Sequence, residues 1–119
     1  QTVKDFIEKD IRPWGYFVVI ADEKDHKVKK IVVHPGHCLS LQKHQKRKEH
    51  WFIVKGRAIV TLDGVLIKKK EGESIDIPKN SVHRIENPGK KDLIFVEIQT
   101  GSYFGEDDIE RIEDVYERN

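Results

Sequence analysis

Between positions 36 and 56 the chain reads GHCLSLQKHQKRKEHWFIVKG, and three of its side chains, Gln42, His44 and Glu49, are able to hold a metal ion. Gln42 and His44 are two residues apart, so on a strand they point to the same side. The QKRK stretch at 45–48 is expected to reverse the chain. Glu49 then opens the next strand, facing inward with Trp51 and Ile53. A fourth ligand stands in IPKNSVHRIEN at 77–87, where His83 follows a proline-initiated turn. Two imidazoles, a carboxylate and an amide oxygen form a mixed N/O set that suits Zn, Mn, Fe, Co or Ni. A protein set of this size leaves coordination positions open to water or substrate. The competing reading is a set of hydrogen-bonded polar residues with no metal.

These residues need a scaffold that holds strands in register, and the rest of the chain describes one. Short β-branched runs recur at 15–21, 28–33, 38–44, 50–55, 58–62, 65–70, 74–77, 83–87 and 93–99, separated by Gly, Pro, Asn and Asp. The Asp63–Gly64 pair inside TLDGVLI is a hairpin signal, because both residues accept the positive φ angles of a two-residue turn. Evenly spaced short strands with such punctuation predict an all-β sandwich or barrel. Only the ends read as helical. Positions 2–10 are expected to form a turn or two, with Phe6 and Ile7 packing on the barrel. GEDDIERIEDVYERN at 105–119 carries Ile109, Ile112 and Val115–Tyr116 at helical spacing behind an acidic start.

Composition excludes several classes. At 119 residues the chain suits one domain. Its net charge of +1 provides no electrostatic case for nucleic acid, and its basic runs read as solvated turns and strand ends. No apolar run is long enough for a membrane span, and no signal peptide is visible. The single cysteine, Cys38, rules out an internal disulfide and suits a reducing cytoplasm. The chain opens at Gln1 and contains no methionine, which points to trimming at its start.

Spacing carries the reading further. Gly36, five residues, Gln42, one, His44, four, Glu49, six, Gly56 resembles the first cupin motif, with glutamine in place of its first histidine. Gly72, five, Pro78, one, Asn80, two, His83, three, Asn87 resembles the second, with Asn80 for the central glycine. Asn tolerates a left-handed turn better than most residues. RPWG at 12–15, SLQKHQKRKEHW at 40–51, IPKNSVHRIENPG at 77–89 and EIQTGSYFGEDDIERIEDVYER at 97–118 resemble the type II mannose-6-phosphate isomerase domain. That domain often forms the C-terminal part of bifunctional mannose-1-phosphate guanylyltransferases, whose nucleotide motif is absent here.

The resemblance implies a cupin jelly-roll barrel with short terminal helical segments. It is one domain over 1–119, with an N-terminal segment at 1–11, a barrel at 12–100 and a capping segment at 101–119. It implies an isomerase interconverting mannose 6-phosphate and fructose 6-phosphate, with one divalent metal, zinc first and Mn, Co, Ni or Fe as alternatives. The ligands would be Gln42, His44, Glu49 and His83. Another metal-cupin enzyme (dioxygenase or epimerase) and a non-catalytic sugar-sensing domain are the rivals.

Lys29 shares a strand face with Ile31 and Val33, where an ammonium needs either a partner or a rim position with its stem packed. The resemblance makes Lys29 and Ser40 candidates for the sugar phosphate. Trp14 and Tyr103 are candidates for lining or capping the mouth, together with the acids 106–108, or for docking the terminal segment. The base that moves the proton is open among His83, Lys29 and a terminal acid. Arg84 would point outward on a regular strand and enters as a catalytic candidate only through a bulge. His50 falls on the face opposite Glu49. His26, His34 and His37 are expected in solvated loops. A homodimer is expected, since cupins commonly pair and the N-terminal segment offers cover.

Overall fold

The computed structural model describes residues 8–113. Among the described residues eleven strands form two antiparallel sheets packed face to face. They are β1 (Asp10–Arg12), β2 (Gly15–Asp22), β3 (His26–Val33), β4 (Leu41–His44), β5 (Arg47–Lys55), β6 (Arg57–Leu62), β7 (Val65–Lys70), β8 (Ser74–Ile77), β9 (His83–Glu86), β10 (Leu93–Gly101) and β11 (Ile109–Glu113). One sheet has the order β1-β2-β3-β10-β5-β8 and the other β11-β4-β9-β6-β7. The β6–β7 hairpin turns at Asp63 and Gly64, whose φ angles are 47° and 84°. Asn80 takes φ 65°, the left-handed conformation expected where it replaces glycine.

Alternation along the central strands sorts the barrel interior into an apolar end and a polar end. On β5 the inward residues run Arg47, Glu49, Trp51, Ile53, and on β10 they run Leu93, Phe95, Glu97, Gln99. Register then stacks like on like. Phe95 lies opposite Ile31 and Ile53, Glu97 opposite Lys29 and Trp51, and Gln99 opposite Glu49. The apolar end is the core, with Val33, Ile53, Val60, Ile85, Leu93 and Phe95 fully buried. Both sheets thus contribute to one hydrophobic layer, and the polar side chains gather at the opposite end.

Several expectations are corrected. The terminal segment at 105–113 is no helix: it is one 3-10 turn at Glu106–Asp108 followed by β11, which pairs with β4. A short isolated helix is marginal, whereas the edge of β4 offers unpaired backbone groups along its whole length. The part of that expectation at 114–119 lies outside the described residues, as do Phe6 and Ile7. Asp10, the last residue of the stretch expected to be helical, opens β1 instead. His26 opens β3 instead of lying in a loop. The reversal before β5 is shorter than expected: Arg47 and Lys48 already belong to the strand, and Arg47 faces inward.

Candidate metal and substrate site

At the polar end of the barrel, β4, β5 and β9 bring His44, Glu49 and His83 together. One ligand atom from each lies within 4.8 Å of the others, and all three side chains are buried. Gln42 stands opposite His83 across the β4–β9 ladder, so both point to the same side. Its amide donates to Ser40 Oγ at 3.0 Å, which turns Oε1 toward His44 Nε2 at 3.1 Å. Ser40 is therefore the hydroxyl that orients Gln42, and it also lines the cavity.

The surroundings prepare these groups for coordination. Burial holds the His44 imidazole down to about 3, reinforced by the Arg47 guanidinium, and burial likewise lowers His83. Both rings are thus neutral and keep a lone pair. His83 Nδ1 donates to the Ser81 carbonyl at 3.1 Å, leaving Nε2 bare, the usual arrangement of a ligating histidine. Glu49 accepts from Trp51 Nε1 at 2.8 Å and from Arg47 Nε at 2.9 Å. The donor set fits a divalent metal in type, number and burial. Arg47 Nη2, however, also lies 3.0 Å from His44 Nε2. Arginine can only donate, so a ring accepting from it carries its proton on Nδ1, toward Glu49 Oε2 at 3.5 Å. A metal at His44 Nε2 would have to displace that contact.

The same cavity takes in Lys29 and Glu97 from the six-stranded sheet, which also carries Glu49. Lys29 is 8% exposed, with its ammonium 4.3 Å from the Phe17 ring centre, so it is an inward cation rather than a solvated rim residue. Glu97 is buried, and its carboxyl is raised to about 7, first by desolvation and then by the neighbouring Glu49. It accepts a hydrogen bond from Gln99 Nε2. Gln99 Oε1 is buried without a partner among the described residues.

The other sequence candidates are placed as follows. Trp14 is buried in the core and reaches the cavity wall. Arg84 sits at a seam, donating to the Leu39 carbonyl at 3.1 Å and pairing with Glu113 at 2.9 Å. Tyr103 is exposed, bonded to Asp107, and stands outside the residues lining the cavity, as do Asp107 and Asp108. Glu106 does line it. His50 lies on the outer face, paired with Asp76 at 2.7 Å, and His34 pairs with Asp92 at 3.0 Å. Sequence reasoning missed Arg47, Glu97, Arg12 and Arg111. The alternation was legible for two of them, since Arg47 is two residues before Glu49 and Glu97 two after Phe95.

Two antiparallel sheets closing on a buried His/Glu/His cluster define a cupin. The structure superposes on the cupin domain of Schizosaccharomyces pombe Cnp3 with a TM-score of 0.71, at 12% identity over 85% of this chain and 73% of that one. Oxalate decarboxylase from Bacillus subtilis shares the fold at a TM-score of 0.80, with 18% identity over 91% of this chain and 30% of that chain. Within that fold the chain belongs to the family described as "Mannose-6-phosphate isomerase C-terminal", whose profile matches residues 2–114. The alginate biosynthesis protein AlgA of Pseudomonas syringae pv. tomato is 51% identical over 108 residues, which are 91% of this chain and 22% of AlgA. The mannose-1-phosphate guanylyltransferase ManC of Salmonella typhimurium is 47% identical over 107 residues, 90% of this chain and 22% of ManC. The chain thus spans about a fifth of the length of these relatives. Among the described residues no helix is long and apolar enough to cross a membrane.

Proposed function

We infer that this cupin is a metal-dependent aldose–ketose isomerase interconverting mannose 6-phosphate and fructose 6-phosphate. The observation that carries the reading is the buried His44–Glu49–His83 cluster, which lines a cavity together with charged and apolar side chains, in a chain of this family. Gln42, His44, Glu49 and His83 would hold one divalent ion, zinc first, which would supply Lewis-acid polarisation of the sugar carbonyl. Ser40 and Trp51 orient Gln42 and Glu49. Isomerisation moves a proton from one carbon to its neighbour through an enediolate, and a side chain must carry it. Of the carboxylates lining the cavity, Glu49 is held by Arg47 and Trp51 and Glu106 faces Arg12. Among the described residues Glu97 has Gln99 alone as a hydrogen-bond partner, and its carboxyl is raised to about 7. In this reading Glu97 therefore joins His83 and Lys29 as a candidate carrier, ahead of both, while Arg84 serves the seam.

The reading keeps the chain as a single domain with residues 101–119 as its cap, acting in the cytoplasm as a homodimer. The exposed apolar side chains Phe52, Val54 and Ile98 on the six-stranded sheet support pairing. A coupled assay with mannose 6-phosphate on metal-reconstituted protein tests the activity. Run in heavy water, turnover should place deuterium at C1 of fructose 6-phosphate or C2 of mannose 6-phosphate. Turnover with the substrate's own hydrogen transferred and no solvent deuterium would replace the enediolate by a hydride shift. Absence of turnover would favour the second reading, a metal-free sugar-phosphate sensor, which the Arg47 contacts on His44 and Glu49 support.

A further inference from the structure

The terminal strap at 106–113 carries five acids and one arginine, and the two kinds of residue behave oppositely. Every acid has a partner. Glu106 lies 3.7 Å from Arg12, Asp107 accepts from Tyr103, and Asp108 accepts from the backbone of Gln45 and Lys46 at 3.3 and 2.9 Å. Glu110 meets Lys43 at 3.9 Å, and Glu113 meets Arg84. These contacts fasten the strap to the barrel. Arg111 has no hydrogen bond or ion pair from its side chain among the described residues. Its Cα lies opposite Gln42, which lies opposite His83. Directly opposed residues share a sheet face, so Arg111 extends the ligand row toward the mouth and lines the cavity.

The charges around the cavity point the same way. Five cations and three carboxylates line it. Arg12, Arg47 and Arg84 are each matched by an acid of this chain. Lys29 and Arg111 are the two with no ion pair within 4.0 Å among the described residues. Lys29 is more than nine-tenths buried, its ammonium over Phe17, a position in which a cation is expensive unless an anion arrives.

We propose that Arg111 and Lys29 form an anion-binding end of the cavity that takes the phosphate of a phosphomonoester, with the strap supplying the outer half of the grip. The phosphate lies toward β11, and the rest of the ligand extends toward His44, Glu49 and His83. The sugar attached to the phosphate rests on the isomerase reading; the anion subsite does not. A guanidinium makes two parallel hydrogen bonds to phosphate, which gives orientation as well as affinity.

The test is calorimetric titration of the full chain with inorganic phosphate, mannose 6-phosphate and mannose, for wild type, Arg111→Gln, Arg111→Lys and Lys29→Gln. Arg111 is exposed, so R111Q is expected to fold, and a thermal melt verifies it. R111Q should weaken both phosphate probes by ~10-fold or more while changing mannose less than about twofold. R111K should restore part of the loss, and the salt dependence of phosphate binding should flatten in R111Q. Unchanged phosphate affinity in R111Q, or no phosphate binding by wild type, overturns the proposal. A protein that binds phosphate through Arg111 without isomerising supports it and removes the isomerase reading alone. An active isomerase whose KM for mannose 6-phosphate is untouched by R111Q removes the anion subsite alone.

Discussion

Replacing Glu97 by Gln should change the pH dependence of stability in a defined direction. The carboxyl is buried, faces Lys29 across the ladder and sits near Glu49. Desolvation is the largest cause of its raised pKa, about 7 against an ordinary 4.5. Between those values the folded chain holds one proton more than the unfolded chain, so stability falls as pH rises through the window. The shift from 4.5 to about 7 corresponds to about 3 kcal/mol, fully present below pH 4.5 and lost above pH 7. The buried histidines act with the opposite sign. Their lowered pKa values add stability as pH rises toward 6.5, so the wild-type curve alone is a sum of both effects. The difference between wild type and E97Q isolates the carboxyl, because glutamine mimics its protonated form at every pH. Urea denaturation of chelator-treated protein at pH 4.5, 6, 7.5 and 8.5 is the assay. E97Q should match wild type in acid and exceed it by about 3 kcal/mol at pH 8.5. Parallel curves, with a constant offset from acid to base, would refute the claim that desolvation dominates at this carboxyl.

Metal content by elemental analysis should be one ion per chain in wild type and fall in His44→Ala and His83→Ala, with a smaller loss in Gln42→Ala because an amide oxygen is a neutral ligand. Equal content in all four proteins would remove the metal assignment. Gly15→Ala should destabilise the fold by about 3 kcal/mol or more, read by thermal or urea melts. Its φ is 153°, and an added Cβ would lie 2.0 Å from the Val32 carbonyl oxygen on the paired strand. A variant as stable as wild type would mean that β2 and β3 can separate at that corner. Light scattering at micromolar concentration should report twice the chain mass, and a monomer would count against pairing through the apolar outer sheet face.

The residues of the candidate metal cluster were legible in the linear sequence because their geometry is local. A two-residue step on a strand keeps Gln42 and His44 on one face, a short reversal returns the chain to Glu49, and Pro78 and Asn80 shape the turn that delivers His83. The hairpin at Asp63–Gly64 and the alternation that buries Trp51 and Ile53 rest on equally short-range physics. Arg47 was hidden by composition, since a basic QKRK run reads as solvated when only its charge is considered. Glu97 could be placed on an inward face, but nothing local says that it meets Lys29 and nears Glu49. Those encounters come from pairing β10 with both β3 and β5, strands distant in sequence. The terminal strap shows the same division most sharply. Its isoleucines are spaced for a helix, yet the backbone groups along β4 and the cations Lys43 and Arg84 stand where a strand can use them. Local periodicity therefore determined which residues could share a face, while the open edge of a folded sheet decided that 109–113 would be a strand and that Arg111 would face the site.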